Sequence, residues 1–88
     1  MISTTATITT TASRVLTKSN AWRTVYIHVI GAGTIYLGGP DVTSTNGLLT
    51  EKNAVPLQLE IPAQEELWAV TGSGSESLRI LKPALYNE

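Results

Sequence analysis

The sequence predicts a small all-β domain, a β-sandwich or jelly-roll-like barrel with an extended N-terminal arm. Three observations carry that expectation. Apolar residues recur at every second position along most of the chain. Turn-forming runs punctuate it every several residues, foremost Gly38-Gly39-Pro40-Asp41 and Asn46-Gly47. No window carries the apolar stripe of an amphipathic helix.

The elements follow in order. Over residues 1–13 the even positions read Ile2, Thr4, Ala6, Ile8, Thr10, Ala12, and the odd positions are Ser or Thr after Met1. This alternation is built largely from β-branched residues and carries no charge, so it reads as an extended arm able to become a strand. Arg14-Val15-Leu16-Thr17 is a short strand, and Ser19-Asn20 a turn. Trp22 to Ile30 is the clearest strand. Val25, Ile27 and Val29 share a core face; Trp22, Thr24, Tyr26 and His28 share the other. Gly31-Ala32-Gly33 then leads into Thr34–Leu37, expected as its hairpin partner.

Gly38-Gly39-Pro40-Asp41 breaks that strand. Glycine reaches positive φ, proline fixes its own φ, and aspartate bonds nearby amides. Val42 is expected to plug the underside of the loop that Asn46-Gly47 closes, and Leu48-Leu49 to re-enter the core. Val55, Leu57, Leu59 and Ile61 alternate with Pro56, Gln58 and Glu60 as a half-buried strand. Pro56 cannot donate to a ladder, so its amide side is expected at an edge or at a strand start. Leu67–Val70 and Leu78–Leu81 are the last strands, joined by a Gly72-Ser73-Gly74 hairpin loop, and Pro83 ends the second. The expected organisation is an arm at 1–13, a sandwich at 14–83 and a tail at 84–88.

Length and composition set bounds. A chain of 88 residues makes one small domain. At that size it buries somewhat more than ~60% of its unfolded surface. There is no cysteine, hence no disulfide and no thiolate metal site. Only 15% of residues are charged and the net charge is -1, so either a partner covers part of the exterior or Thr, Ser, Asn and Gln solvate it. Arg14, Lys18, Arg23, Lys52, Arg79 and Lys82 are scattered, whereas phosphate binding wants clustered cations, so no nucleic-acid partner is expected. No apolar run approaches the ~20 residues of a membrane span, so no membrane partner is expected. The N-terminus lacks the basic start and apolar core of a signal peptide, which points to synthesis in the cytoplasm.

Residues that could do chemistry do not assemble into a motif. His28 is the single histidine and has no cysteine or second histidine beside it for a metal. No serine sits in a Gly-x-Ser-x-Gly elbow, and nothing orients Ser73, His28 and Asp41 as a triad. Gly31-Ala32-Gly33 starts like a dinucleotide fingerprint, but Tyr36 replaces the third glycine and a strand follows instead of a phosphate-binding helix. Glu60, Glu65, Glu66 and Asp41 have no ligand spacing and read as solvated loops. The expectation is no catalytic residue, no metal and no cofactor: a binding or structural protein and not an enzyme. The aromatics are the better leads. Trp68 and Val70 face opposite to Leu67 and Ala69, so both sides of that strand carry apolar mass, as around Tyr26. A second subunit is one way to cover the outer side, and aromatics serve as interface anchors.

The run Ile35-Tyr36-Leu37-Gly38-Gly39, Asp41-Val42-Thr43, Asn46-Gly47, then Val55-Pro56-Leu57-Gln58-Leu59, Glu66-Leu67-Trp68-Ala69-Val70 and Leu78-Arg79-Ile80-Leu81 resembles short β-domains of tailed-bacteriophage structural proteins. The resemblance spans roughly Val25 to Leu81; Pro40 and Pro56 depart from the pattern, and the Thr-rich arm lies outside it. It implies a virion part, foremost a capsid decoration or minor capsid protein on the capsid exterior. Its partner would be the major capsid protein, and its state a homotrimer at symmetry-related lattice positions. Many weak contacts, multiplied by the lattice, would resist expansion. Ile2, Ala6 and Ile8 are the expected arm contacts, and Trp22, Tyr26 and Trp68 the interface aromatics. Gly38, Gly39, Pro40, Asp41, Asn46 and Gly47 form the structural turn. On this reading, deleting residues 1–13 leaves the domain folded and weakens capsid binding. The alternatives are a head-fibre or tail component, or a carbohydrate-binding module.

Overall fold

The structure, a computed structural model, describes residues 1–53 and 55–83; the expected tail at 84–88, with Tyr86, lies outside them. The strands are β1 (Ile2–Ile8), β2 (Ser13–Leu16), β3 (Arg23–Val29), β4 (Thr34–Gly38), β5 (Leu48–Glu51), β6 (Leu57–Ile61), β7 (Leu67–Thr71) and β8 (Glu76–Lys82). They form two four-stranded antiparallel sheets, ordered β1-β8-β3-β6 and β2-β7-β4-β5.

The pairing has a simple logic. First pairs with last: β1 with β8, β2 with β7, β3 with β6, β4 with β5. The chain is a long hairpin rolled on itself. Rolling brings β8 beside β3 and β7 beside β4. That is the winding of a jelly roll, and it satisfies the inner strands on both sides. The Gly38-to-Gly47 segment is the tip of the rolled hairpin.

The winding corrects two local expectations. β3 and β4 are not a hairpin, and neither are β7 and β8; each connection passes from one sheet to the other. Gly31 and Gly33 lie in the connection between the two sheets. An added Cβ on Gly33 would lie 2.5 Å from Glu76 Oε2, and one on Gly31 would collide with Glu76 Oε1. The Glu76 carboxylate lies against both glycines at this corner.

Alternation then fills the core. Val25, Ile27 and Val29 of β3 meet Ile35 and Leu37 of β4, Leu67 and Ala69 of β7, and Leu78 and Ile80 of β8. Ile8, Leu16 and Ile61 close the cluster, all buried. At ~25 cal/mol per Å² of apolar surface removed from water, this burial drives the fold.

Residues 2–8 are part of this sandwich and not an arm outside it. β1 pairs with β8 from Ile2 opposite Lys82 to Ile8 opposite Glu76. Ile8 is fully buried and Ala6 packs on the core. The alternation that suggested an arm is the alternation of a half-buried strand, and β8 supplies its partner within the same chain.

Leu48 and Leu49 do not re-enter the core; they are 54% and 53% exposed. β5 lies at the sheet margin beside the hairpin tip, and its covered residue is Thr50. Val55, expected in a strand, precedes β6 and is exposed. β6 itself begins just after Pro56 and is an edge strand.

One end is tied by polar contacts. Arg23 points into the sandwich and is 1% exposed. Its Nη2 donates to Thr17 O at 2.9 Å and to Glu65 O at 3.1 Å. Gln64, at φ 71°, donates its backbone N–H to Ser19 O at 2.8 Å and its Nε2 to Asn20 Oδ1 at 2.7 Å. The β2–β3 and β6–β7 connections are thereby held together. Elsewhere the Thr71 N–H donates to Thr9 O at 2.9 Å, linking the β1–β2 turn to the other sheet.

Candidate functional surfaces

Strand parity assigns the expected site residues to different places. On β3 the outward residues are Thr24, Tyr26 and His28, because Val25, Ile27 and Val29 point inward. On β8 they are Ser77, Arg79 and Leu81. Register sets Tyr26 opposite Leu81 and His28 opposite Arg79. Tyr26 and Leu81 are each 39% exposed. A shallow depression of about 150 Å³ lies here, edged by Ser3, Tyr26, His28, Pro56, Arg79 and Leu81. It joins an aromatic ring, an imidazole and a guanidinium on one sheet face.

The outer face of the other sheet is built differently. Tyr36 sits opposite Leu49 and Val70, and Trp68 opposite Gly38 and Arg14. Trp68 donates its indole N–H to Glu66 Oε1 at 3.2 Å, and Arg14 Nη1 donates to Glu66 Oε2 at 3.2 Å. The indole hydrogen bond, and then the Arg14 cation, hold the Glu66 carboxyl below the ordinary glutamate value. Part of this face is already covered. Val42 is 5% exposed but stands outside the central core cluster. A Cβ on Gly38 would meet Val42 Cγ2 at 2.9 Å, and one on Gly47 would meet Tyr36 Cβ at 2.6 Å. The 39–47 loop therefore folds back over the outer side of the sheet, with Val42 beneath it. Val42 is the expected plug, on the opposite side of the sheet from the core.

The loop is closed by several internal hydrogen bonds. Val42 N–H donates to Gly39 O at 3.1 Å, closing a turn through Pro40 and Asp41. Asn46 Oδ1 accepts from the Thr43 N–H at 2.8 Å, and Gly47 N–H donates to Thr43 O at 3.0 Å. Thr43 Oγ1 accepts from the amides of Thr45 and Asn46 at 3.2 Å and 3.3 Å.

The three expected interface aromatics are thus not one patch. Tyr26 faces out from one sheet, Trp68 from the other, and Trp22 precedes β3 at 67% exposure. Ile8 is buried in the core, Ala6 packs against it and Ile2 is partly exposed, so the expected arm contacts belong to a paired strand. They lie on the core-facing side of β1, because the inward parity that buries Ile8 includes them. His28 lies on the outward side of β3, and Asp41 in the exposed 39–47 loop between β4 and β5. Among the described residues no group of three or more His, Cys, Asp and Glu side chains comes together to hold a metal ion. The acidic residues have separate partners: Glu60 accepts from Thr24 Oγ1 at 3.1 Å, and Glu66 from Arg14 and Trp68. No helix among the described residues is long and apolar enough to cross a membrane.

Residue-by-residue reading misses Leu81 and Arg79 as companions of Tyr26 and His28. The signal is present as outward parity on two strands, but the pairing of those strands is not. Comparison with protein-family models, with curated proteins and with solved structures gives no match.

Proposed function

We propose that this chain is a virion structural protein of the tailed-bacteriophage type, a capsid decoration or minor capsid protein that docks on the outer surface of the major capsid lattice. The fold alone does not decide this, since jelly rolls host many functions. The observation that supports it is the open face of the β1-β8-β3-β6 sheet. Tyr26 and Leu81 stand there in direct register, partly exposed, on a broad surface with sparse charge. Such a face suits a large, flat, repeating partner better than a small substrate. The mechanism is mechanical: modest contacts per copy, multiplied over a lattice, hold neighbouring capsid subunits together.

The test is co-sedimentation of the purified chain with capsids of the phage that encodes it, stripped of their own copies. Saturable binding is expected, with lower occupancy for Tyr26→Ala and Leu81→Ala at unchanged folding. Density on a fibre or tail in a particle reconstruction would move the protein to those parts. Absence from the particle would sink the reading.

One feature favours a second reading, a carbohydrate-binding module. The depression beside Tyr26, His28 and Arg79 offers a ring for stacking and polar groups for hydroxyls. A glycan array decides it. Binding lost in Tyr26→Ala and His28→Ala, and kept in Trp22→Ala and Trp68→Ala, would support this site.

A further inference from the structure

Four strands stand at sheet margins: β1 and β6 in one sheet, β2 and β5 in the other. An open edge presents unpaired N–H and C=O groups to any passing strand. Proteins blunt such edges with charge, proline, a bulge or brevity. Three of the four edges carry these devices. β6 is flanked by Pro56 and Pro62 and contains Glu60. β2 has four residues, Arg14 among them, and its register shifts between Arg14 and Leu16. β5 has four residues and ends at Glu51, with Lys52 following. β1 has none of them. It is seven residues long, without charge or proline, and its register against β8 is unbroken.

The ladder also fixes where the free backbone groups of β1 point. The Ile30 N–H donates to Ser77 O at 3.1 Å, continuing the register that sets Val29 opposite Leu78. Main-chain groups of Ser77 therefore face β3. Successive residues alternate, so those of Leu78 and Ile80 face β1. Their partners Ala6 and Thr4 face back toward β8. Ser3, Thr5 and Thr7 consequently direct their N–H and C=O groups to the open margin. All three are exposed.

We propose that β1 pairs antiparallel with β1 of a second copy of this chain, about a two-fold axis at Thr5, joining the two sheets into one. This register sets Thr5 opposite the partner's Thr5 and Ser3 opposite the partner's Thr7, each a hydrogen-bonded pair. Ile2 comes to lie across from the partner's Ile8, and Thr4 across from the partner's Ala6. Every residue of β1 then has a counterpart. A second copy fits this edge for two reasons. Self-pairing sets the strand against itself, so any charge near its centre would face its own image, and β1 has none. Ile2, on the core-facing side yet 39% exposed, gains an apolar neighbour. Antiparallel self-pairing closes after two copies, so the product is a dimer and not the trimer that the phage resemblance implies. The proposal is independent of the capsid reading, because it concerns the purified chain alone.

Sedimentation of the full chain across a concentration series tests it, with a monomer–dimer equilibrium as the expected result. The chain has no cysteine, so single cysteines report the register cleanly. Cα atoms of a hydrogen-bonded antiparallel pair lie about 5.5 Å apart, within disulfide span. Thr5→Cys is expected to form an inter-chain disulfide under mild oxidation. Thr7→Cys, set opposite the partner's Ser3, is expected not to. Thr5→Lys, which opposes like charges at the axis, and Thr5→Pro, which removes an outward N–H, are expected to leave folded monomers by circular dichroism. A wild-type chain that stays monomeric at its highest soluble concentration overturns the proposal. So does a trimer, or a Thr7→Cys chain that cross-links as readily as Thr5→Cys.

Discussion

Trp68 donates its indole N–H to Glu66, two residues earlier, at 3.2 Å. The same carboxylate receives Arg14 from the neighbouring strand, also at 3.2 Å. Three side chains are thus braced on the outer face of the second sheet, and the partly exposed indole is fixed in direction.

This bracing makes one stretch of the pH–stability curve depend on Glu66. Its carboxyl lies below the ordinary value of 4.5 in the folded state, first through the Trp68 hydrogen bond and then through Arg14. A group depressed in this way adds stability that is present above the unfolded-state value. That stability is lost as the pH falls through the folded value. Acid titration followed by Trp fluorescence is expected to show a transition below 4.5 in wild type. Glu66→Gln is expected to lack it and to leave stability at neutral pH slightly lower.

Gly47 is sterically constrained. Its added Cβ would meet Tyr36 Cβ at 2.6 Å, Val42 Cγ2 at 2.8 Å and Thr43 O at 3.0 Å. The tip must lift for any side chain to fit. Gly47→Ala is expected to cost about 1–3 kcal/mol, the usual range for overpacking, measured by urea unfolding. Gly72, whose Cβ direction is open, is the control.

Arg23 holds two connections through one buried nitrogen. Arg23→Leu keeps apolar volume but strands the carbonyls of Thr17 and Glu65. A loss of about 1–3 kcal/mol is expected, from two part-buried carbonyls deprived of a charged donor. Unchanged unfolding free energy would show that water replaces the guanidinium without penalty.

Removing residues 1–8 is expected to unfold the domain, not merely to weaken its attachment. The deletion takes Ile8 out of the core and leaves β8 without its outer partner. Ile8→Ala alone is expected to cost about 2–5 kcal/mol. A truncated chain with a cooperative melt near that of wild type would restore the detachable arm.

The fold is unevenly legible in the sequence, and particular residues show why. Val25, Ile27 and Val29 alternate so regularly that period two alone sets the inward face of β3. Gly31-Ala32-Gly33 is different. A glycine-rich turn looks the same whether it closes a hairpin or carries the chain to another sheet, so it suggests a β3–β4 hairpin that the fold does not make. Ile2, Ala6 and Ile8 share a face as expected, but which surface meets that face depends on β8, far along the chain. Leu48 and Leu49 mislead because hydrophobicity does not report an edge position.

By itself, then, the sequence determined the strand class, the inward residues of β3 and β6 and the places where the chain turns. Those follow from local sterics and a period of two, both of which act within a few residues. Tertiary structure alone decided that the strands wind first-with-last, that Tyr26 and Leu81 share a face, that Val42 lies outside the core, and that β1 presents an unguarded edge. These are outcomes of pairing between distant segments. Such pairing is chosen by the joint burial of two sheets, a condition no single stretch of sequence contains.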